Sequence, residues 1–133
     1  MPKLAWFDIF KIGNEEIDQA HKTLITHAQR IEDCLDDPAS SSEVSIFIDI
    51  VKKHCHREEE ILLSCKYPKL VDHKIFHEEL LTKAIKLEEA CTANANKILK
   101  SLYYDSLVDC IINDFLKADM DFKTHLLHQS FGS

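Results

Sequence analysis

Two pairs of residues four apart, His54 with Glu58 and His73 with His77, stand in this chain together with His21 and Asp119. Imidazole nitrogens and carboxylate oxygens are metal donors, and a four-residue spacing sets both members of a pair on one face of a helix. Any one of these groups alone is ordinary: a single histidine on an apolar stripe is more often a hydrogen-bonded core residue than a ligand. Six of them on helical seams that must face one another are not. Four imidazoles and two carboxylates left in a core without a metal would each need a partner, at about 1–3 kcal/mol for every unsatisfied group.

The elements that must carry these residues are read from apolar spacing. Residues 1–13 form an extended arm holding the chain's one tryptophan, Trp6. After Gly13, Asn14 is a natural N-cap, and Ile17, His21, Leu24, Ala28, Ile31 and Leu35 follow at alternating steps of four and three. A polar loop over 39–42 leads to a second seam: Val44, Phe47, Val51, His54, Glu58, Ile61 and Cys65. Tyr67-Pro68 breaks that helix. The third seam is Leu70, His73, His77, Leu80, Ala84, Leu87 and Cys91; the fourth is Val108, Ile112, Phe115, Asp119, Phe122 and Leu126. The expected helices cover about 15–37, 42–65, 69–92 and 96–128. With short connections, they fit an all-α fold, an up-down-up-down four-helix bundle in one domain, 1–133. Strands would need sustained period-two alternation, which is absent from the sequence.

Bulk properties exclude several classes of partner. At 133 residues the chain is long enough to bury a core, and its 45% hydrophobic and 29% charged residues are those of a globular protein. A net charge of -7 argues against nucleic acid or an anionic membrane surface. The longest apolar runs are too short to span a bilayer and no signal-peptide pattern opens the chain, so a cytoplasmic protein is expected. Five cysteines, Cys34, Cys55, Cys65, Cys91 and Cys110, at unrelated spacings read as free thiols in a reducing compartment.

The donor types narrow the metal. Six ligands are too many for one tetrahedral zinc, and the cysteines form no thiolate cluster. Two carboxylates among four histidines suggest a pair of ions bridged by Glu58 and Asp119, with His21, His54, His73 and His77 as terminal ligands. Two iron ions satisfy this set best; manganese or a mixed pair is also compatible.

At this point the chain resembles the hemerythrins, in their single-domain bacterial form. The likeness begins with Trp6, Ile12-Gly13 and Ile17-Asp18-Gln19-Ala20-His21-Lys22. It continues through His54, Glu58-Glu59, Tyr67-Pro68, His73 and His77, with 15 residues from Glu58 to His73. The resemblance implies a non-haem di-iron site that binds O2 reversibly, in a carrier, store or sensor that is a monomer. It also implies that His21 and His54 serve one iron and His73 and His77 the other, with Glu58 between them. Leu24, Ile25 and Ile61 are expected near the ligand pocket, where packing alone would also account for them. The fourth helix departs from the family pattern. The family places a histidine five residues before the bridging aspartate; here Asp114 precedes Asp119. Asp114, a water or another group is left to fill that place, with His125 a remoter candidate, while His27, His56 and His128 read as surface residues. The departure keeps other functions open: a di-iron peroxidase or oxidase, an NO-reactive protein, or an iron-storage or iron-sensing module.

Overall fold

The computed structural model of the chain describes residues 3–113 and 118–131. A short 3-10 turn, Asp8–Phe10, lies in the N-terminal arm. It is followed by α1 (Glu15–Asp33), α2 (Ser40–Ser64), α3 (Leu70–Thr92), α4 (Lys97–Asn113) and α5 (Asp119–Phe131). The described residues contain no strand. The fold is an all-α four-helix bundle: α1 packs on α2, α2 on α3, and α3 on α4. The Tyr104 hydroxyl of α4 donates to the Ala28 carbonyl of α1 at 2.8 Å, closing the ring. No helix among the described residues is long and apolar enough to cross a membrane.

Helix ends follow from local chemistry. The Asn14 side chain accepts from Ile17 N at 3.0 Å, capping α1. Just ahead of it, the buried Asp18 carboxylate accepts from Ile12 N at 2.9 Å and Gly13 N at 3.2 Å. Gly13 turns with φ +93, a conformation that strains any residue with a Cβ. These contacts set the start of α1 and hence the height of His21 in the bundle. The first helix stops at Asp33, earlier than its spacing suggests: a helix continued through Pro38 would lose the bond to the Cys34 carbonyl and set the proline ring against it. Ser40 to Ser42, expected as loop, form the first turn of α2 instead. At the far end of α2, Lys66 adopts a left-handed conformation. There Tyr67 N bonds Leu62 O at 3.0 Å and Lys66 N bonds Leu63 O at 3.1 Å. This closure satisfies the last carbonyls and packs Tyr67 on Leu62. Asn94 ends α3 in the same way, with Ala95 N bonded to Ala90 O at 2.9 Å.

The first three seams are buried as read from the sequence, except at the edge where α2 ends and α3 begins: Ile61, Cys65 and Leu70 are only partly buried, and Leu62 is the inward residue of the last turn of α2. On α4 the inward face is Tyr104, Leu107, Val108 and Ile111, and Ile112 is only partly buried. The spacing reading chose a neighbouring stripe because α4 is apolar on several sides, Ile98 and Leu102 being exposed. The helix expected over 96–128 is present as α4 and α5, and residues 114–117 lie outside the described residues.

Two apolar clusters fill the interior. The larger runs from Leu24 to Leu35, Val44 to Cys55, Leu80 to Cys91 and Tyr104 to Ile111. The smaller joins Ile12, Ile17, Leu62, Tyr67 and Phe122. On α1, α2 and α3 alike, the polar residues of the opening constellation lie in sequence between members of the two clusters.

Candidate metal centre

Glu58 is the hub of that polar layer. Its carboxylate is buried on α2 and points into the bundle, where four imidazoles from three helices surround it. His21 Nε2 of α1 lies 3.1 Å from Glu58 Oε2, and His54 Nε2, one turn earlier on α2, lies 2.9 Å from the same oxygen. The other oxygen, Oε1, faces α3: His77 Nε2 is 3.1 Å from it, and His73 Nε2 also lies against it. The carboxylate is thus divided evenly, one oxygen to each pair of histidines. Within each pair the rings stand edge-on with centroids 4.7 Å apart, at 70° for His21 and His54 and 87° for His73 and His77.

Donor atoms of His21, His54 and Glu58 all lie within 4.8 Å of one another, as do those of Glu58, His73 and His77. Two compact three-donor groups therefore share one carboxylate. The polar bookkeeping of this layer fits a cation better than it fits hydrogen bonds alone. His54 Nε2 is buried and close to Glu58 Oε2, yet its direction makes no hydrogen bond. Such an orphaned nitrogen in an interior costs free energy unless something binds it. The donors are imidazole and carboxylate, the set that suits iron, and no thiolate joins either group.

Electrostatics point the same way. Burial pushes the Glu58 carboxyl up, but the close imidazoles of His21, His54, His73 and His77 outweigh it and hold the group well below the usual carboxylate range. Burial lowers His77, while the Cys55 thiol and the Glu58 carboxylate raise it, to about 12. The layer is built to keep a negative centre next to positive charge, whether proton or metal ion.

The remaining candidates fall elsewhere. Asp119 is the first residue of α5, but its side chain is outside the described residues, as is all of Asp114. His125 does not join the cluster: its Nε2 is 2.9 Å from Cys65 O and its ring stands edge-on to Tyr67 at 5.3 Å. That contact ties α5 to the end of α2. His56 is on the surface, 3.6 Å from Glu60. His27, expected on the surface, is half-buried on α1, while His128 lies outside the described side chains. Leu24 and Ile25 are buried and Ile61 partly so.

Two neighbours of the site were not singled out as site residues from the sequence. Glu59 Oε2 lies 2.9 Å from His77 Nδ1, and the Tyr67 ring stands edge-on to His73 at 6.3 Å. The signal for Glu59 was the doubled acid Glu58-Glu59, whose second member sits four residues after Cys55.

Comparison with known proteins places this geometry in context. The family model for the hemerythrin HHE cation binding domain matches residues 12–124. A myohemerythrin of Sipunculus nudus is 33% identical over 79 residues, covering 59% of this chain and 63% of that protein. A myohemerythrin of Theromyzon tessulatum is 30% identical over 76 residues, with 57% and 61% covered. A bacteriohemerythrin of Clostridium acetobutylicum is 28% identical over 86 residues, with 59% and 67% covered. The chain thus spans less than two thirds of the length of the myohemerythrins it matches. No solved structure matches.

Proposed function

The chain belongs to the hemerythrin family of HHE cation-binding domains, and from that premise we propose that its histidine–glutamate layer holds two non-haem iron ions and binds O2 reversibly. The observation that carries the proposal is the even division of Glu58, with Oε2 turned to His21 and His54 and Oε1 to His73 and His77. Each group supplies two imidazoles and one shared carboxylate oxygen. Asp119 is assigned as a second bridging carboxylate from its place in the sequence, at the head of α5.

When bound, the iron pair supplies the electrons that O2 needs to bind and recovers them on release. The chain's own residues do the rest. Glu58 ties the two groups together and fixes their separation. Leu24 and Ile25, buried on α1 beside His21, keep water from that side. Tyr67 and Phe122, edge to face at 5.4 Å, close the opposite end. The reading extends to a monomeric, cytoplasmic protein: the apolar seams of α1, α2 and α3 are largely buried within one chain, and the five cysteines keep the unrelated spacings of a chain without a disulfide frame.

Reconstitution with ferrous iron under argon, followed by metal analysis and optical spectra, tests the proposal. The expected result is two iron ions per chain and a visible absorption band that appears with O2 and vanishes on purging. A single ion, or a one-way spectral change, overturns it.

One sequence feature favours a second reading. No histidine stands between His77 and His125, so the α3 group has only its two imidazoles to draw on. A centre with more open places reacts readily with peroxide or NO. Stopped-flow oxygenation separates the readings: an oxygenated form that persists for many minutes supports the carrier, and rapid autoxidation supports the reactive centre.

A further inference from the structure

His77 is held from both sides by consecutive residues of α2. Its Nε2 lies 3.1 Å from Glu58 Oε1, and its Nδ1 lies 2.9 Å from Glu59 Oε2. Cys55, one turn before Glu59, lines the same cavity as His77. Cys55 and Glu59 therefore repeat the four-residue step of His54 and Glu58, displaced by one position around the helix. His54 and Glu58 face the interior of the bundle, whereas Cys55 and Glu59 stand behind the outer edge of the His77 ring. A cavity of about 280 Å³ between α2 and α3 opens on that edge, lined by Val51, Cys55, Glu59, His77 and Leu81 among others. The Glu59 side chain is 26% exposed, so it sits at the boundary between this cavity and the buried layer.

A neutral imidazole carries one N–H, and the hydrogen bond made by one nitrogen decides which nitrogen keeps the free lone pair. We propose that Glu59 is a positioning residue for the metal centre: its carboxylate accepts the Nδ1 proton of His77 and so leaves the Nε2 lone pair facing Glu58 and the second ion. The inference rests on the two-ion reading above. A carboxylate behind a ligating imidazole fixes the ring's rotation and tautomer and raises the basicity of the ligating nitrogen. Without it the ring can rotate toward the cavity, where water offers Nδ1 an alternative partner. The Cys55 thiol is a weaker hydrogen-bonding group and does not replace the carboxylate. The support is local to the α3 group, so its loss should weaken one of the two ions and spare the other.

Zinc is the probe for the test, since it takes imidazole and carboxylate ligands and permits NMR. In the zinc-loaded wild-type protein, long-range 15N correlation should show His77 protonated at Nδ1, with a downfield, slowly exchanging proton. In E59A that proton should be lost from the spectrum, and the weaker of two zinc affinities should fall about 10–100-fold while the tighter is unchanged. E59Q keeps the side chain's shape and an acceptor oxygen, so it should retain the Nδ1 proton at an upfield position with a smaller affinity loss. That variant carries the test by itself should E59A not fold. E60A, which removes the acid paired with exposed His56, should leave both readouts at wild-type values. A folded E59A with wild-type zinc affinities and an unmoved Nδ1 proton overturns the assignment. Wild-type protein that binds fewer than two zinc ions overturns the two-ion reading itself, and shows it before any Glu59 variant is made.

Discussion

The polar layer around Glu58 and the larger apolar cluster beside it are built on the same helices with the same spacing, and they behave in opposite ways. In the apolar cluster Leu24, Phe47, Leu87 and Leu107 are almost wholly buried, and each stabilises the fold simply by leaving water. Any well-packed set of similar volume would do much the same. In the polar layer the burial of His21, His54, Glu58, His73 and His77 is just as deep, but burial alone is a cost there. Each group is tolerable only because another group meets it. Identical helical geometry thus yields an interchangeable scaffold in one layer and a mutually dependent set in the next.

The sharpest way to break this comparison is to remove the hub. Glu58→Ala should abolish binding at both groups together, exceeding the about 10–100-fold loss caused by removing a supporting residue. Metal analysis and titration check it, and a variant that retains one ion at wild-type affinity contradicts the shared carboxylate. The counterpart in the apolar cluster is Leu87→Ala, at a fully buried position on α3. It should cost about 2–5 kcal/mol in urea unfolding while the folded protein keeps its metal content. If metal content falls in step with stability, the two layers are less independent than described.

The smallest effect probes the α1–α4 closure within the apolar cluster. Burial, with Glu32 and Asp105 nearby, raises the Tyr104 phenol above its usual range. Its folded pKa therefore exceeds the unfolded value of about 10. The contribution is complete below about pH 10 and is lost as pH rises beyond it, because the unfolded chain releases that proton first. Tyr104→Phe should cost about 1 kcal/mol at neutral pH by removing the bond to Ala28 O, and should flatten the loss of stability at alkaline pH. Urea unfolding at pH 7 and above pH 10 reads both.

Much of the scaffold was legible without coordinates because the buried residues of α1, α2 and α3 recur at steps of three and four. The seam from Ile17 to Leu35, and that from His73 to Cys91, could be followed residue by residue. The fourth region was misread in detail for a physical reason: with Ile98, Leu99, Leu102, Leu107, Val108 and Ile111 crowded together, α4 has no single stripe for periodicity to detect. Likewise the shift from Ile61 to Leu62 follows from the left-handed turn at Lys66, which draws Tyr67 onto Leu62 and which spacing does not reveal. In the polar layer, the five side chains that meet could be picked out beforehand because each interrupts an apolar stripe. Glu59 was not, because it lies off the stripe and matters only through His77.

The sequence by itself determined which residues share a helix face, since that depends on spacing along one element. It therefore sufficed for the pairs His54/Glu58 and His73/His77, for the all-α class, and for the likeness to the hemerythrins. How the faces meet depends on the packing of separate helices, and tertiary structure alone decided it. Only there does Glu58 turn one oxygen to α1 and its own helix and the other to α3, Glu59 reach the far nitrogen of His77, and His125 turn to the Cys65 carbonyl instead of the cluster.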